Sequence, residues 1–464
     1  MGAKHWLGVA AISVAASASS AADLSFLQAL LDATPAGGWV QASTTTFGSA
    51  WPTGAAAAPW SPNNAAALPI AWSGFAWDSK RGDLIFSGGG HANYVGDEVY
   101  VWHGSDGSWS RGTLPSKVDE TTGLVVGRDA PQASHSFQTN TYAPVNDRYV
   151  VLGGGTWNAG ASLVDANGRT GPWWWDPSRA DPNKVGGATG TGWDPTSQGS
   201  NSWQMRRDGY PWAGNAGNIG PYSYASGYRT EGGKDVIYYT MESNASGFPA
   251  LWRYELGTPT TPDTWQQVGV TWNSVAGQGT AMIDSSRGLF VRVADNTAGF
   301  TSDLAIWNLA NNNATTPVAN KDFGVRLVTA SGAEWSFAYG ASLAYDKLND
   351  DYVIWDSQAQ GSVWITKPEF NPDGSMKSVW TVNQFASTTQ AQPVGKLQNG
   401  VWGKWAYVAD LGAFVAMDAY NAGTKDAAIW LYKPMAAVPE PAMWQALVVG
   451  LLAVGWKVRR RAAA

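Results

Sequence analysis

The chain has 464 residues, a formal net charge of −6, 28 tryptophans, 54 glycines and no cysteine, and only 14% of its residues are charged. The acidic balance argues against a nucleic-acid partner, and the lack of cysteine excludes disulfides, Cys-ligated metal sites and thiol catalysis. With 44% hydrophobic residues the chain can build a core, and many aromatics and glycines with few charges point to short strands joined by tight turns.

At the N-terminus, Lys4 precedes an apolar stretch from Trp6 to Ala16 and then small residues through Ser19-Ser20-Ala21-Ala22. This pattern predicts a secretory signal peptide over 1–22, a mature chain from Asp23, and a short helix or linker over 23–35. From residue 36 to 434 one unit recurs roughly every 55 to 65 residues, with one longer gap. In the first unit an apolar strand, Asp83-Leu84-Ile85-Phe86, is followed by Glu98-Val99-Tyr100-Val101-Trp102 and by Gly107-Ser108-Trp109. The order returns at Arg148-Tyr149-Val150-Val151-Leu152, Val236-Ile237-Tyr238-Tyr239, Gly288-Leu289-Phe290-Val291, Asp351-Tyr352-Val353-Ile354-Trp355 and Ala413-Phe414-Val415-Ala416. A further strand precedes most of these, as in Ala341-Ser342-Leu343-Ala344-Tyr345-Asp346. Antiparallel units repeated radially predict an all-β fold, a β-propeller of six blades, or seven if 176–221 hides another. The last unit lacks a closing Trp strand, and Gly37-Gly38-Trp39-Val40 near the mature N-terminus matches the closing segments at Trp109, Trp265 and Trp380. Trp39 is therefore expected in the outer strand of the last blade. Most of the tryptophans read as core and inter-blade packing.

Phe86-Ser87-Gly88-Gly89-Gly90 and Val151-Leu152-Gly153-Gly154-Gly155 resemble the strand end and glycine turn of kelch repeats, with a later Trp as the repeat aromatic. Only these two units carry the full glycine signature. The resemblance implies a kelch-like propeller related in fold to galactose oxidase, whose radical copper site needs a cysteine that this chain lacks.

The C-terminus carries Val438-Pro439-Glu440-Pro441, an apolar run from Ala442 to Val458, and Arg459-Arg460-Arg461. At about 1.5 Å per residue a helix over 442–458 reaches roughly 25 Å, just short of the ~30 Å hydrocarbon core, and the arginines are expected to stay cytoplasmic. The order of parts over 438–464 resembles the PEP-CTERM sorting signal of Gram-negative bacteria. That resemblance implies an exosortase-type processing enzyme as partner, transient anchoring in the inner membrane, and delivery to the cell surface or beyond.

In a propeller, the loop between the second and third strands and the loop entering the first strand open on one rim. His91 follows the first glycine triplet and His135 begins the next blade, so both fall on that rim. Asn93, Tyr94, Trp157, Asn158, Tyr222, Gln278, Tyr339 and Trp402 fall there as well, a set of rings and amides that suits stacking on sugars and matching their hydroxyls. The first expectation is therefore a propeller binding extracellular polysaccharide without cofactor or metal. The alternative is a polysaccharide lyase acting by β-elimination on uronate glycans. His91, His135 or Tyr224 would serve as base, and Arg206, Arg207 or Arg229 would neutralise the carboxylate. The two His segments are similar to those of propeller lyases active on uronate polymers. A third reading, a structural or protein-binding propeller of the biofilm matrix, needs no such site. Fold alone does not separate the three.

Overall fold

The computed structural model describes residues 22–435, apart from 59–64, 91–92, 120–123, 157–170, 207–224, 241–249, 271–278, 294–301, 313–314, 338–339, 357–359 and 396–398. Except for Ala22, the expected leader lies outside the described residues, as does the whole tail of 438–464 with its apolar run. Among the described residues no helix is long and apolar enough to cross a membrane.

The chain opens on a helix, α1 (Ser25–Ala33), and a short strand, β1 (Trp39–Gln41). It then runs as antiparallel meanders. The first is β2 (Phe75–Asp78), β3 (Asp83–Phe86), β4 (Tyr100–His103) and β5 (Trp109–Arg111). The second is β6 (Asn140–Ala143), β7 (Arg148–Val151), β8 (Trp173–Trp175) and β9 (Trp203–Met205). The third is β10 (Ala225–Glu231), β11 (Lys234–Thr240), β12 (Ala250–Glu255) and β13 (Thr264–Val270).

A nine-stranded sheet follows. One half is β14 (Ala281–Asp284), β15 (Leu289–Val293), β16 (Leu304–Asn308) and β17 (Phe323–Thr329), with β18 (Glu334–Trp335) beside β17. The other half is β19 (Ser342–Asp346), β20 (Asp351–Trp355), β21 (Val363–Thr366) and β22 (Val379–Phe385). The halves join because β17 and β22 pair in parallel from Arg326↔Val379 to Thr329↔Val382. The last sheet contains β23 (Trp405–Val408), β24 (Ala413–Met417), β25 (Ile429–Tyr432) and β1. Within the stretch 176–221, the described residues add no further meander; they carry β9, the outer strand of the second sheet.

The first strands of the meanders gather round one axis. β2 packs on β6, β10 on β14, β14 on β19 and β19 on β23. The backbone bridge Gln138↔Ala225 joins the start of β6 to β10, and Phe75 N–H donates to Gly403 C=O at the start of β23. The fold is thus all-β and propeller-like. Each sheet is sandwiched between neighbours, so strands such as Asp351–Trp355 and Ala413–Met417 are buried along their whole length and read as continuous apolar runs. The core lies in layers between sheets. One layer joins Leu84 and Phe86 of the first sheet to Val415 and Leu431 of the last, and Leu27 and Leu31 of α1 plug into it.

β1 pairs antiparallel with β25 through Trp39↔Tyr432, Val40↔Leu431 and Gln41↔Trp430. Trp39 is 1% exposed. Its Nε1–H donates to Gly361 C=O at 2.7 Å, and its ring lies 5.6 Å from Trp355, 5.6 Å from Trp405 and 5.0 Å from Tyr432. Truncating it leaves a cavity between two sheets and an orphaned carbonyl. Trp39→Ala is expected to lower stability by about 3–5 kcal/mol in equilibrium denaturation; a loss within experimental error would mean that β1 is dispensable.

Candidate functional site

Of the expected rim residues, Asn93, Tyr94, His135 and Trp402 are described, and Trp72 and Phe137 pack beside them. The glycine turns bring His135 inward: its N–H donates to Gly155 C=O at 2.9 Å, and a Cβ on Gly154 would lie 1.6 Å from His135 O, so only glycine allows this approach. The Asn93 amide donates to His135 Nε2 at 2.8 Å, which leaves the proton of the neutral ring on Nδ1. The ring packs on Trp72, with centroids 4.7 Å apart, and edge-on against Phe137, which in turn meets Trp402. His135 is 2% exposed and Trp402 3%.

The other expected site residues divide sharply. Tyr94 is buried, and its hydroxyl donates to Glu98 Oε1 at 2.7 Å, an oxygen that also accepts from Tyr100 at 2.8 Å. Burial raises the Glu98 carboxyl above its usual range and pushes the neighbouring Asp97 up to about 7. Neither Tyr94 nor Trp402 therefore offers a face for stacking. Arg206 is buried against Trp174, 4.1 Å from the ring centroid, and its Nε donates to Asp263 Oδ2 at 3.1 Å. Arg229 pairs with Glu231 at 3.2 Å, farther along β10 and away from the rim. His91, Trp157, Asn158, Arg207, Tyr222, Tyr224, Gln278 and Tyr339 lie outside the described residues. The structure thus brings Asn93 and His135 together, and it keeps Arg206 and Arg229 apart from them.

A cavity of about 750 Å³ runs along the axis and opens on the opposite face, where the turns after the innermost strands contribute Ser79, Pro144, Ser285, Lys347, Ala409 and Asp410. Its wall repeats. Trp77, Tyr142, Tyr228, Ile283, Tyr345 and Tyr407 occupy matching register positions, opposite Leu84, Tyr149, Ile237, Phe290, Tyr352 and Phe414. The tyrosine hydroxyls are tied off. Tyr142 donates to Asp147 at 2.6 Å, Tyr228 to Asp235 at 2.7 Å and Tyr345 to Asp350 at 2.7 Å, while Tyr407 bonds Asp346. Burial and the adjoining carboxylates push Tyr345 and Tyr407 up to about 12, and burial drives Tyr142 and Tyr228 up as well. All four stay protonated at neutral pH and offer no phenolate base; Tyr142 and Tyr345 are buried between sheets, so the ring surface on the channel comes from Trp77, Tyr228 and Tyr407.

Sequence reasoning missed this wall. The available signal is an aromatic in every innermost strand except β14, as in Ala76-Trp77-Asp78 and Ala344-Tyr345-Asp346. The free edges of the innermost strands line the sides of the channel. Phe75 N–H points away from β3 to Gly403, and the two-residue repeat turns the N–H of Trp77 the same way.

No family model and no curated protein matches this chain. Among solved structures it is similar to a GH93 alpha-L-arabinofuranosidase of Fusarium graminearum in complex with arabinobiose, at 9% identity and TM-score 0.37, over 78% of this chain and 92% of that one. It is also similar to an exo-1,5-alpha-L-arabinanase from a bovine ruminal metagenomic library, at 11% identity and TM-score 0.30, over 78% and 91% of the two chains. A GH43_1 enzyme from Xanthomonas citri follows, at 10% identity and TM-score 0.29, over 67% and 91%. Likenesses this distant say nothing of activity.

Between the rim and the channel lies Lys404, 1% exposed, whose Nζ donates to Ala71 C=O at 3.0 Å. Among the described residues no carboxylate pairs with it, and burial pulls its amine down from 10.5 to about 7. Between those two values only the unfolded chain holds the proton, so this group makes stability climb as pH rises from about 7 to 10.5; below about 7 both states are charged and the fold bears the full burial cost. Lys404→Met is therefore expected to raise stability at pH 6 by about 1–4 kcal/mol and to flatten the climb towards pH 10, as read by thermal melts at both ends. A variant less stable at pH 6 than the parent would show that the ammonium stabilises the fold.

Proposed function

We propose that this chain is an exported, surface-sorted, kelch-like propeller of six blades that binds extracellular carbohydrate in its axial channel. The observation that carries the reading is the set of three partly exposed, fixed rings, Trp77, Tyr228 and Tyr407, along a channel open to solvent. A sugar has apolar C–H faces that stack on such rings, and hydroxyls that match polar backbone groups along the inner strand edges. The channel volume lies within the range of small-ligand sites, about 300–1,000 Å³. Both signs of charge stand at its mouth, in Lys347 and Asp410, and Arg229 is held by Glu231, so neutral sugars suit it better than uronates.

Export rests on the residue order of the two termini: a Lys4-led apolar leader, then Pro439-Glu440-Pro441, the apolar run and Arg459-Arg460-Arg461. Glycan binding and surface sorting are separable. Deleting residues 438–464 is expected to abolish surface retention while leaving the melting temperature and glycan binding intact. A truncated chain that fails to fold would contradict an independent tail.

Trp77→Ala removes one stacking face and is expected to weaken glycan binding about tenfold, read by calorimetry on ligands selected from a glycan array. Binding that survives unchanged would move the site away from the channel. Appearance of the ultraviolet absorbance of unsaturated uronates during the same incubations would favour the lyase reading instead.

A further inference from the structure

We infer that the channel reads the end of a neutral glycan chain and not its interior. The inference rests on the carbohydrate reading above and adds to it the part of the polymer that is recognised. A groove open at both ends can hold an internal stretch of a polysaccharide, and a channel open at both ends can thread one. A pocket with a floor admits only a terminus, and here the floor is built by Gln138.

Gln138 lies two residues before β6, the innermost strand of the second sheet. Its backbone bridges to Ala225 of the third sheet, and Ser226 Oγ donates to its carbonyl at 2.7 Å. Its side chain reaches one sheet farther. Nε2 donates to Ala281 C=O at 2.7 Å, and Oε1 accepts from Ala281 N–H. The amide is therefore held on both its nitrogen and its oxygen and reaches across the interior at the rim end. On the other side of the axis the backbones of the last, first and second sheets converge, with Phe75 N–H bonded to Gly403 C=O and Phe137 N–H bonded to Trp72 C=O at 2.7 Å. Among the described residues the lining reaches Gln138, Ala281 and Gly403 and includes none of Trp72, His135 or Trp402 from the rim beyond.

The aromatic positions Trp77, Tyr228 and Tyr407 stand between this floor and the open mouth. A terminal ring entering from the turn face meets them first and the Gln138 amide last. The rest of the polymer is left in solvent on the side of Lys347 and Asp410.

The test is calorimetry with the full-length secreted chain on size-fractionated fragments of a neutral glucan, a neutral galactan and a neutral mannan, with cyclic glucans as chains without ends. End recognition predicts one protein per chain at every length, an affinity per chain that changes less than about threefold once the pocket is filled, and no binding of the cyclic forms. Ala409→Trp, an exposed mouth position, is expected to abolish this binding without shifting the melting temperature. Several proteins per long chain, or binding of cyclic glucans, would overturn end recognition while leaving the carbohydrate reading in place. Unchanged binding by Ala409→Trp would place the terminus outside the channel and overturn the inference. Binding to none of the neutral fragments would remove both.

Discussion

Where β23 meets β2, two glycines let three backbones share the axis, and the ring depends on that contact. A Cβ on Gly74 would lie 2.3 Å from Phe137 O and 3.0 Å from the Cα of Gly403; one on Gly403, at φ +60, would lie 2.5 Å from the same oxygen. Any side chain at either place pushes the last and first sheets apart, and with them the Phe75–Gly403 hydrogen bond. The outer circumference is secured differently. There β1 completes the last sheet, so separating the final strands from the first ones costs a strand ladder as well as the packing of Trp39. At the turn face the sheets are tied by charge: Arg81 reaches from the first sheet to both oxygens of Asp147, at 2.8 and 2.9 Å, and Arg287 makes the matching link to Asp350. These forked pairs are half-buried, so they add geometric specificity more than net stability.

Strands and turns are legible in the sequence because each sheet lies between two others. That burial on both faces leaves uninterrupted apolar runs such as Tyr352 to Trp355, which stand out against glycine-rich connections. The closing role of Trp39 is legible too, since its local pattern repeats that of Trp109, Trp265 and Trp380. β9 is harder to see. It follows the third strand of its sheet after a long excursion, and Trp203-Gln204-Met205 is too short to announce itself by periodicity.

Side-chain roles are far less legible, because partners distant in the chain decide them. Arg206 has the composition of a carboxylate clamp for a ligand, yet Asp263 fills that role within the protein. Tyr94 sits in a Gly-rich rim segment that suggests exposure, yet Glu98 draws its hydroxyl inward. The channel wall escapes the sequence for a related reason. Its members are separated by whole sheets, and only the common register of the innermost strands brings Trp77, Tyr228 and Tyr407 to one level.

The same pairings limit the chemistry available along the axis. Bond cleavage next to a uronate needs a base that can take a proton and a cation that can hold the developing charge. In the channel the tyrosines are proton donors locked onto Asp147, Asp235, Asp350 and Asp346, and the arginine of the wall is neutralised by Glu231. What these pairings leave facing the channel is ring surface and backbone edge. Both are preorganised, and neither changes its protonation near neutral pH, so the entropy of fixing the wall is met during folding and not on binding. A wall of this kind would bind through rigidity and shape, and its described tyrosines and arginine supply neither a free base nor a free cation for chemistry on a ligand.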